Sequence, residues 1–442
     1  MFENPAVPAL LKIALTFVVM LFLINRQSHI WFAILLGAFI LGMLFGLPIE
    51  QIALVGLKSF VQPSALSLFG VVFFIMMLSV VQQKSGQGRR LVARLTPYMK
   101  SPRLRLAFFP ALIGLLGVPG GAIFSCPMVR DVAHGYDIPN RKLVSLNYWF
   151  RHIWEISWPL YPGYLMACAL ADIPVSLLWR YTCPAIFFNC LVGWLFFLRT
   201  PIDRLPEITI QETEKLPLHI VLLDTLPLVV GIGLAPVVSF LFKKFGINAP
   251  GGSVFVVTFF LAAMTSIYQD KIPLSALPSM MLKPHVGKML GLILMIFLFK
   301  DIVIEANVVE ALAALSGKGA LLILAVVLPA IMGALTGLML GFVGSVFPLL
   351  LALITQAGLY DERLCWVILC LMAGNFGQMI TPMHSCYLLT LEFFKEHLYH
   401  MAVLLLCKHS AFHTLLRLHC RPVFPGKTYS SLRKHHARHS RP

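Results

Sequence analysis

Charged side chains are scarce in this sequence. They make up 12% of its 442 residues, against roughly 25% in soluble globular domains, whereas hydrophobic residues make up 58% and the mean hydropathy is +0.83. A water-soluble fold of this composition would expose a large apolar surface, which argues against a soluble enzyme or binding module. The composition predicts a multi-pass protein of a plasma or inner membrane, with membrane lipid around it.

Acidic side chains are scarcer than basic ones, and the formal net charge is +16. No acidic residue follows Glu396, whereas eight basic residues do: Lys408, Arg417, Arg421, Lys427, Arg433, Lys434, Arg438 and Arg441. The loop 84–105 is also basic and contains no acid. Lysine and arginine concentrated in the loops and tails of membrane proteins mark the cytoplasmic side. No nucleic-acid-binding motif accompanies them, so a nucleic-acid partner is not predicted.

Motifs for catalysis and for metal binding are missing. The sequence contains no HExxH, GxSxG or P-loop pattern, and its nine cysteines include no CxxC pair. His152 and Glu155 form one HxxE spacing, which is common by chance, and the histidines of the C-terminal tail lack the paired spacing of a zinc site. We predict no cofactor, no metal site and no enzymatic activity, and a polytopic membrane enzyme is the alternative from another class.

Apolar runs fill most of the chain and predict an all-α polytopic membrane protein with about ten spans, since a helix crosses the bilayer core with about 20 apolar residues. The runs lie near 6–24, 30–46, 66–82, 104–129, 161–178, 181–198, 218–242, 252–268, 287–304, 319–355, 363–374 and 385–406. Four parts follow: a first membrane repeat (1–198), a polar linker (199–217), a second membrane repeat (218–396) and a basic, His-rich tail (397–442), partly apolar at its start.

Two of the apolar runs are interrupted. The run 104–129 contains Gly-Val-Pro-Gly-Gly at 117–121, and the run 319–355 is too long for one crossing and contains Pro329, Pro348 and four internal glycines. Proline removes a backbone donor, and irregular backbone persists in a membrane only where protein or a water-filled cavity satisfies it. Each run is therefore predicted to be a broken helix or a re-entrant hairpin.

The two interrupted runs resemble each other. Residues 110–114 (Pro-Ala-Leu-Ile-Gly) match residues 329–333 (Pro-Ala-Ile-Met-Gly). The basic loop 84–105 has an acidic counterpart at 305–318, and opposite charge biases at equivalent positions are typical of two halves inserted in opposite directions. The lysine pair at 243–244 departs from this pattern. The sequence thus predicts an inverted-repeat transporter fold with two broken-helix or re-entrant hairpin segments.

Paired broken segments point to a transporter site near mid-membrane. Free N–H groups at half-helix ends favour an anion, although glycines there could instead serve only close helix packing. In the polar stretch that follows the first break, Asn147, Arg151 and Glu155 share one face if the stretch is helical. Arg151 could then bind a carboxylate, and Glu155 or His152 could carry a coupling proton. The alternative is an interfacial turn in which Arg151 and Glu155 pair in wet surroundings.

The polar stretch 375–385 follows the second break. Its amides, hydroxyls and proline predict an unwound segment that coordinates a cation or the substrate. The candidate substrate-binding residues are Gly120, Gly121, Asn147, Arg151, Gly341, Gly344, Ser345, Asn375, Gln378 and Thr381. The candidate residues for a coupling ion or proton are His152, Glu155, Asp301 and His384.

Three runs carry a family resemblance: 119–125, 147–155 and 375–385. They resemble domain-of-unknown-function family 401, over roughly residues 5 to 395. This family is related to the ion-transporter superfamily, which includes gluconate, citrate and dicarboxylate permeases and sodium/proton antiporters. The resemblance implies an inverted-repeat carrier with paired hairpins, leaves a homodimer open, and carries over no assigned binding residues. After Glu396 the sequence departs from the family pattern. The residues that follow are interpreted either as a disordered basic tail or as the result of a reading-frame change.

The function predicted from these features is secondary transport. The substrate is a small organic anion, moved together with Na⁺ or H⁺, with Arg151 as the anion partner. The close alternative is a cation/proton antiporter, in which Glu155, Asp301 and Asn375 matter more than Arg151.

Overall fold

The protein was analysed as a computed structural model. It describes residues 6–26, 29–99, 101–115, 121–134, 136–199, 203–204, 215, 217–247, 252–311, 318–381 and 384–396. Gly120, most of the predicted linker and the predicted tail 397–442 lie outside the described residues.

The described part of the chain is almost entirely helical. Its α-helices are α1 (Ala6–Asn25), α2 (Ile30–Leu44), α3 (Ile49–Val61), α4 (Pro63–Ser85), α5 (Gln87–Leu95), α6 (Pro102–Leu115), α7 (Ala122–Ala133), α8 (Asn140–Arg151), α9 (Pro162–Ala171), α10 (Val175–Thr182), α11 (Pro184–Gly193), α12 (Leu218–Leu223), α13 (Leu226–Gly233), α14 (Ala235–Lys244), α15 (Ser253–Gln269), α16 (Leu277–Met281), α17 (Pro284–Glu305), α18 (Val308–Ala311), α19 (Lys318–Thr336), α20 (Met339–Gln356), α21 (Arg363–Ile380) and α22 (Ser385–Phe394).

Short irregular elements connect some of these helices. Single 3₁₀ turns lie at Thr96–Tyr98, Leu274–Ala276 and Tyr360–Glu362, and a π-helical turn lies at Trp194–Leu198. Two-residue strands β1 (Tyr136–Asp137) and β2 (Asp203–Arg204) pair antiparallel, with Tyr136 opposite Arg204. This pairing ties a short piece of the predicted linker to the turn between α7 and α8.

Several helices have the length and composition of membrane spans, which confirms the all-α polytopic membrane fold. Within the described part of the chain, six segments qualify: Pro63–Ser85, Val175–Leu198, Leu226–Lys244, Gly319–Thr336, Met339–Gln356, and Tyr360–Phe394, which contains α21 and α22 and is described except at residues 382–383. A seventh is the bent pair Ser253–Gln269 and Leu274–Met281, whose axes turn by 116°. The apolar segments Leu11–Ile24, Ile30–Leu44 and Pro162–Ala171 are shorter. The predicted count of about ten spans includes such shorter helices.

Helix α4 shows how the sequence sets the ends of a span. Pro63 occupies its first turn, where the missing N–H has no helical partner to lose. The helix ends at Ser85, and Gly86 follows with a left-handed φ of 69°, a conformation that glycine adopts without steric strain. Between them, the run of apolar side chains from Leu68 to Val81 packs into the main hydrophobic core.

The break in the second interrupted run lies at Gly337 and Leu338. Gly337 has a φ of +60° and Leu338 is extended, so α19 stops and α20 starts again at once. Pro329 and Pro348 do not interrupt the run, because each lies inside a helix. The break predicted in the first run, at 117–121, lies outside the described residues except for Gly121, which directly precedes α7.

Both halves of the chain contain the same close helix contact. A Cβ atom on Gly114 would overlap the backbone carbonyl oxygen of Arg151, and one on Gly333 would overlap the carbonyl oxygen of Gly374. Gly114 and Gly333 are the matched glycines of the sequence repeat. Helix α6 thus packs against α8 as α19 packs against α21. In both places the absence of a side chain allows the backbones to approach.

The two largest hydrophobic clusters of the described residues hold most of the helices together. The larger is built mainly from α2, α4, α9, α15, α17, α20 and α21. The smaller joins α7, α8 and α22, with Tyr148, Trp149 and Tyr387 among its most buried side chains. The candidate residues of the two polar stretches, 147–155 and 375–385, lie near this smaller core, where the end of α8 meets the end of α21 and the start of α22.

Candidate functional site

The centre of the candidate site is the carboxylate of Glu155. Nδ2 of Asn375 donates to Oε2 over 2.9 Å. Nε2 of Gln378 lies 3.1 Å from Oε1 and 3.2 Å from Oε2. Asn375 and Gln378 are three residues apart on α21 and therefore share one face of that helix. The polar stretches of the two predicted repeats meet at this carboxylate.

Glu155 is reached by a turn and not by a helix. Helix α8 ends at Arg151. The prediction that Asn147, Arg151 and Glu155 share one face of a helix was therefore wrong for Glu155. Tertiary hydrogen bonds replace the helical ones: Asn189 donates to the Ile153 carbonyl over 3.2 Å. A buried carbonyl that accepts such a hydrogen bond is satisfied without a continuing helix.

The unwound segment predicted for 375–385 was wrong for Asn375 and Gln378, whereas Thr381 and His384 lie outside the helices. Asn375 and Gln378 lie inside α21, which continues to Ile380, and Thr381 is the residue that ends it. Thr381 is buried. The two amides lie on a regular helix. Helix α21 therefore contributes their side chains to the site, and not backbone carbonyls freed by unwinding.

Arg151 is buried and its side chain lies against the start of α7. Its exposed fraction is 5%, and a Cβ on Gly121 would lie 2.5 Å from its Nη1. Gly121 immediately precedes α7, whose N-terminal end carries a partial positive charge. A guanidinium and a helix N-terminus therefore concentrate positive charge beside the break between α6 and α7. The burial of Arg151 contradicts the alternative interpretation, in which Arg151 and Glu155 pair in a water-exposed turn at the membrane interface.

Aromatic side chains contact α6 near the last residue that the structure describes there, Leu115. The hydroxyl of Tyr161 donates to the Gly114 carbonyl over 2.7 Å, and the indole N–H of Trp154 donates to the Ala111 carbonyl over 2.7 Å. The two hydrogen bonds connect α6 to the segment that follows α8.

Two histidines extend the polar cluster. Nδ1 of His152 lies 2.6 Å from the Tyr148 carbonyl, which only accepts, so Nδ1 carries the proton and Nε2 presents a lone pair. Nε2 of His384 lies 3.0 Å from that Nε2 and is therefore the donor. Nε2 of His152 is 3.9 Å from Oε1 of Glu155. Both histidines are buried.

Asn147 links three helices one turn before Arg151. Its Nδ2 lies 3.2 Å from Sγ of Cys126 on α7 and 3.1 Å from Oγ1 of Thr390 on α22. Its Oδ1 and the hydroxyl of Ser125 are buried without a hydrogen-bond partner within the described part of the chain. Such buried polar atoms normally find a partner in protein, water or ligand.

The other predicted positions of the second break make packing contacts. A Cβ on Gly341 would lie 2.6 Å from Thr336, and one on Gly344 would overlap Ile296. The hydroxyl of Ser345 donates to the Gly341 carbonyl over 2.6 Å. These contacts agree with the alternative interpretation, in which the glycines allow close helix packing. A role for Gly341, Gly344 and Ser345 in substrate binding stays a prediction.

Asp301 belongs to a different place. Its Oδ2 accepts from Nε2 of Gln62 over 2.7 Å, and its Oδ1 lies 3.2 Å from Nζ of Lys300. It lines an open crevice of about 550 Å³ between α3 and α17, together with Glu50 and Glu305. The described contacts of Asp301 connect it to this crevice and not to Glu155.

Cys386 is a site residue that sequence reasoning missed. The sequence predicts no metal site, yet one donor atom each from His152, His384 and Cys386 lies within 4.8 Å of the others, and all three residues are buried. The available signal was the His-x-Cys spacing of His384 and Cys386. It carries little weight alone, because a cysteine in an apolar run is usually a small buried hydrophobe.

Comparison with known proteins gives a family and no named relative. No curated protein matches the chain. One family matches over residues 7–415, so the pattern continues beyond Glu396, where the sequence was predicted to depart from it. The chain belongs to the family described as "Protein of unknown function (DUF401)".

Proposed function

We propose that this protein is a secondary transporter that moves a small organic anion together with Na⁺ or H⁺. One observation carries the proposal: a buried arginine and a buried glutamate lie four positions apart, the arginine against Gly121 at the start of α7 and the glutamate bonded to α21. Ionisable groups inside a membrane protein are costly and normally mark a substrate or ion pathway. The proposed location is a plasma or inner membrane.

Arg151 is the proposed partner of the anion. A guanidinium binds a carboxylate through two parallel N–H···O bonds, and the N-terminus of α7 beside Gly121 favours the same charge. The buried hydroxyl of Ser125, on the first turn of α7, is a further donor near this helix end. The three groups together suit a carboxylate better than a neutral solute.

Glu155 is the proposed partner of the coupling cation. A carboxylate substrate held by Arg151 would meet a second negative charge on Glu155, and in a weakly polarisable interior that repulsion is strong. Na⁺ or H⁺ bound at Glu155 removes the repulsion. The anion and the cation then favour each other's binding, which is the thermodynamic requirement for cotransport.

The matched helix contacts support a transport mechanism built on a repeat. The contact of Gly114 with the Arg151 carbonyl and the contact of Gly333 with the Gly374 carbonyl pair a broken segment with a site-bearing helix in each half. We propose that the halves 1–198 and 218–396 are inverted repeats, as in carriers whose sites lie between such repeats. The resemblance to the ion-transporter superfamily supports the same arrangement.

A cation/proton antiporter is the second candidate. The cluster of Glu155, Asn375 and Gln378 favours it, because this cluster is complete without any anion. In that case Arg151 has a structural role, and cation exchange survives its removal.

Reconstitution into proteoliposomes distinguishes the two candidates. Uptake of radiolabelled monocarboxylates, dicarboxylates and tricarboxylates is measured under an inward Na⁺ gradient or an inward proton gradient. Carboxylate uptake that is lost in Arg151→Ala supports the anion carrier. Cation exchange that needs no carboxylate and persists in Arg151→Ala overturns it in favour of the antiporter. Arg130→Ala is the matched control, because Arg130 is an exposed arginine on α7 whose side chain is 62% accessible.

A further inference from the structure

The strongest unassigned feature is the meeting of His152, His384 and Cys386. His152 follows the last residue of α8, while His384 and Cys386 lie at the start of α22. Among the described residues, this is where three metal-ligating side chains come together with donor atoms within 4.8 Å of one another. We propose that these three residues form a binding site for Zn²⁺. The site goes beyond the transport function and does not depend on it.

The donor set selects the class of ion. Two imidazole nitrogens and one thiolate suit Zn²⁺, whereas Mg²⁺ and Ca²⁺ prefer oxygen ligands. Zinc bonds of about 2.0–2.1 Å to nitrogen and 2.3 Å to sulfur place the ligand atoms roughly 3.3–3.6 Å apart in a tetrahedral site. Nε2 of His152 and Nε2 of His384 are already 3.0 Å apart. The three donor atoms lie within 4.8 Å of one another, so closing around an ion at these spacings requires side-chain shifts of about an ångström.

His152 is already oriented as a ligand. Its Nδ1–H donates to the Tyr148 carbonyl over 2.6 Å, which turns the lone pair of Nε2 toward His384. Metal-binding histidines almost always donate their second nitrogen to a carbonyl or a carboxylate in this way. Tyr148 is itself fixed, because its hydroxyl donates to the Met379 carbonyl over 3.1 Å, and its ring lies against both imidazoles.

Binding of the ion has a defined proton balance. The thiol of Cys386 releases its proton to water, and His384 exchanges its Nε2 proton for one on Nδ1, so that three lone pairs face the ion and one proton is released for each ion bound. Three protein ligands leave one coordination position for water or another oxygen. Oε1 of Glu155 lies 3.9 Å from Nε2 of His152, so the proposed metal site adjoins the proposed coupling site.

Cobalt substitution tests the site on the full-length protein in detergent. Co²⁺ bound to a cysteine thiolate gives an intense ultraviolet charge-transfer band, which histidine-only sites in the tail cannot produce. We expect one equivalent of Co²⁺ to produce the band and Zn²⁺ to abolish it by displacement. In Cys386→Ser the band should disappear, and Zn²⁺ affinity measured against a chromophoric chelator should fall more than about 100-fold, beyond the loss known for second-shell changes.

Three control variants isolate Cys386. Cys168→Ser removes a buried cysteine of the larger core, and Cys407→Ser and Cys420→Ser remove the cysteines of the His-rich tail. All three should keep the band. A band that is absent from the unchanged protein, that persists in Cys386→Ser, or that is lost in a tail variant overturns the proposal.

X-ray absorption at the zinc edge provides a test that needs no variant. The unchanged protein loaded with one equivalent of Zn²⁺ should show one sulfur ligand at about 2.3 Å and nitrogen ligands at about 2.0–2.1 Å. A shell of nitrogen and oxygen alone overturns the site even if Cys386→Ser fails to fold.

Discussion

Asn375 donates a hydrogen bond of 2.9 Å to the carboxylate of Glu155, although the two residues are 220 positions apart in the chain. Gln378, one helical turn further along α21, donates to the same carboxylate. The contact joins the two halves of the molecule through polar groups in an apolar interior. There, each hydrogen bond between protein groups replaces a hydrogen bond to water. It also fixes the Glu155 carboxylate against α21, four positions along the chain from the buried Arg151, and the predictions below depend on these two residues.

Removal of the Arg151 guanidinium should abolish stabilisation by the transported anion. A ligand at a hundredfold excess over its dissociation constant stabilises the folded state by about 2.7 kcal/mol. Thermal unfolding of the detergent-solubilised protein, recorded against a panel of carboxylates in Na⁺ and in K⁺, should show this shift for one class of carboxylate. The shift should vanish in Arg151→Ala and remain in Arg130→Ala. An unchanged shift in Arg151→Ala would contradict the assignment of Arg151.

Neutralisation of Glu155 should uncouple the anion from the cation. In Glu155→Gln the negative charge that repels the substrate is gone, so the carboxylate-dependent shift should no longer require Na⁺ or low pH. Gradient-driven accumulation should fall, while exchange of labelled for unlabelled carboxylate should persist. Glu392→Gln is the control, because Glu392 is an exposed carboxylate on α22. Continued cation dependence in Glu155→Gln would exclude Glu155 as the coupling site.

The position of Arg151 depends on the glycine at the start of α7. A Cβ on Gly121 would lie 2.5 Å from Nη1 and 3.1 Å from Cζ of Arg151, and these atoms are the far end of a flexible side chain. Gly121→Ala should therefore displace the guanidinium while the fold survives. The expected result is weaker carboxylate binding with a nearly unchanged melting temperature without ligand. Equal losses of stability and of binding would show that Gly121 serves packing alone.

Part of this site was predictable from the sequence, and part was not. Arg151 and Glu155 stand out because charged residues inside apolar runs are costly and therefore few. Cys386 does not stand out, since a thiol in an apolar run resembles any small buried side chain. Its proximity to His152 arises only when α22 packs against α8. Sequence patterns contain little information about such distant pairings.

The end of α8 shows a second limit of the sequence. The residues after Arg151 have ordinary helix propensity, and their turn is specified by partners distant in the chain, such as Asn189 at the Ile153 carbonyl. Propensity is a weak prior that tertiary contacts override. The break at Gly337 was partly predictable, because a glycine between two apolar helices is a common stop. Pro329 and Pro348 were misleading, because neighbouring helices in a membrane protein compensate for proline within a helix.

The matched glycine contacts predict equal costs of substitution in the two halves. In Gly114→Ala and Gly333→Ala the new methyl group would overlap a backbone carbonyl oxygen, of Arg151 and of Gly374 respectively, and a backbone cannot move aside as a side chain can. Overpacking of this kind typically costs about 1–3 kcal/mol.

Gly291→Ala in α17 is the control, because nothing lies within 4 Å of its Cβ position, and alanine there should stabilise the helix by up to about 1 kcal/mol. Thermal unfolding of the three variants in one detergent measures the comparison. A loss of stability in Gly114→Ala without a similar loss in Gly333→Ala would show that the two contacts are not equivalent, and would remove the main structural support for a repeated architecture.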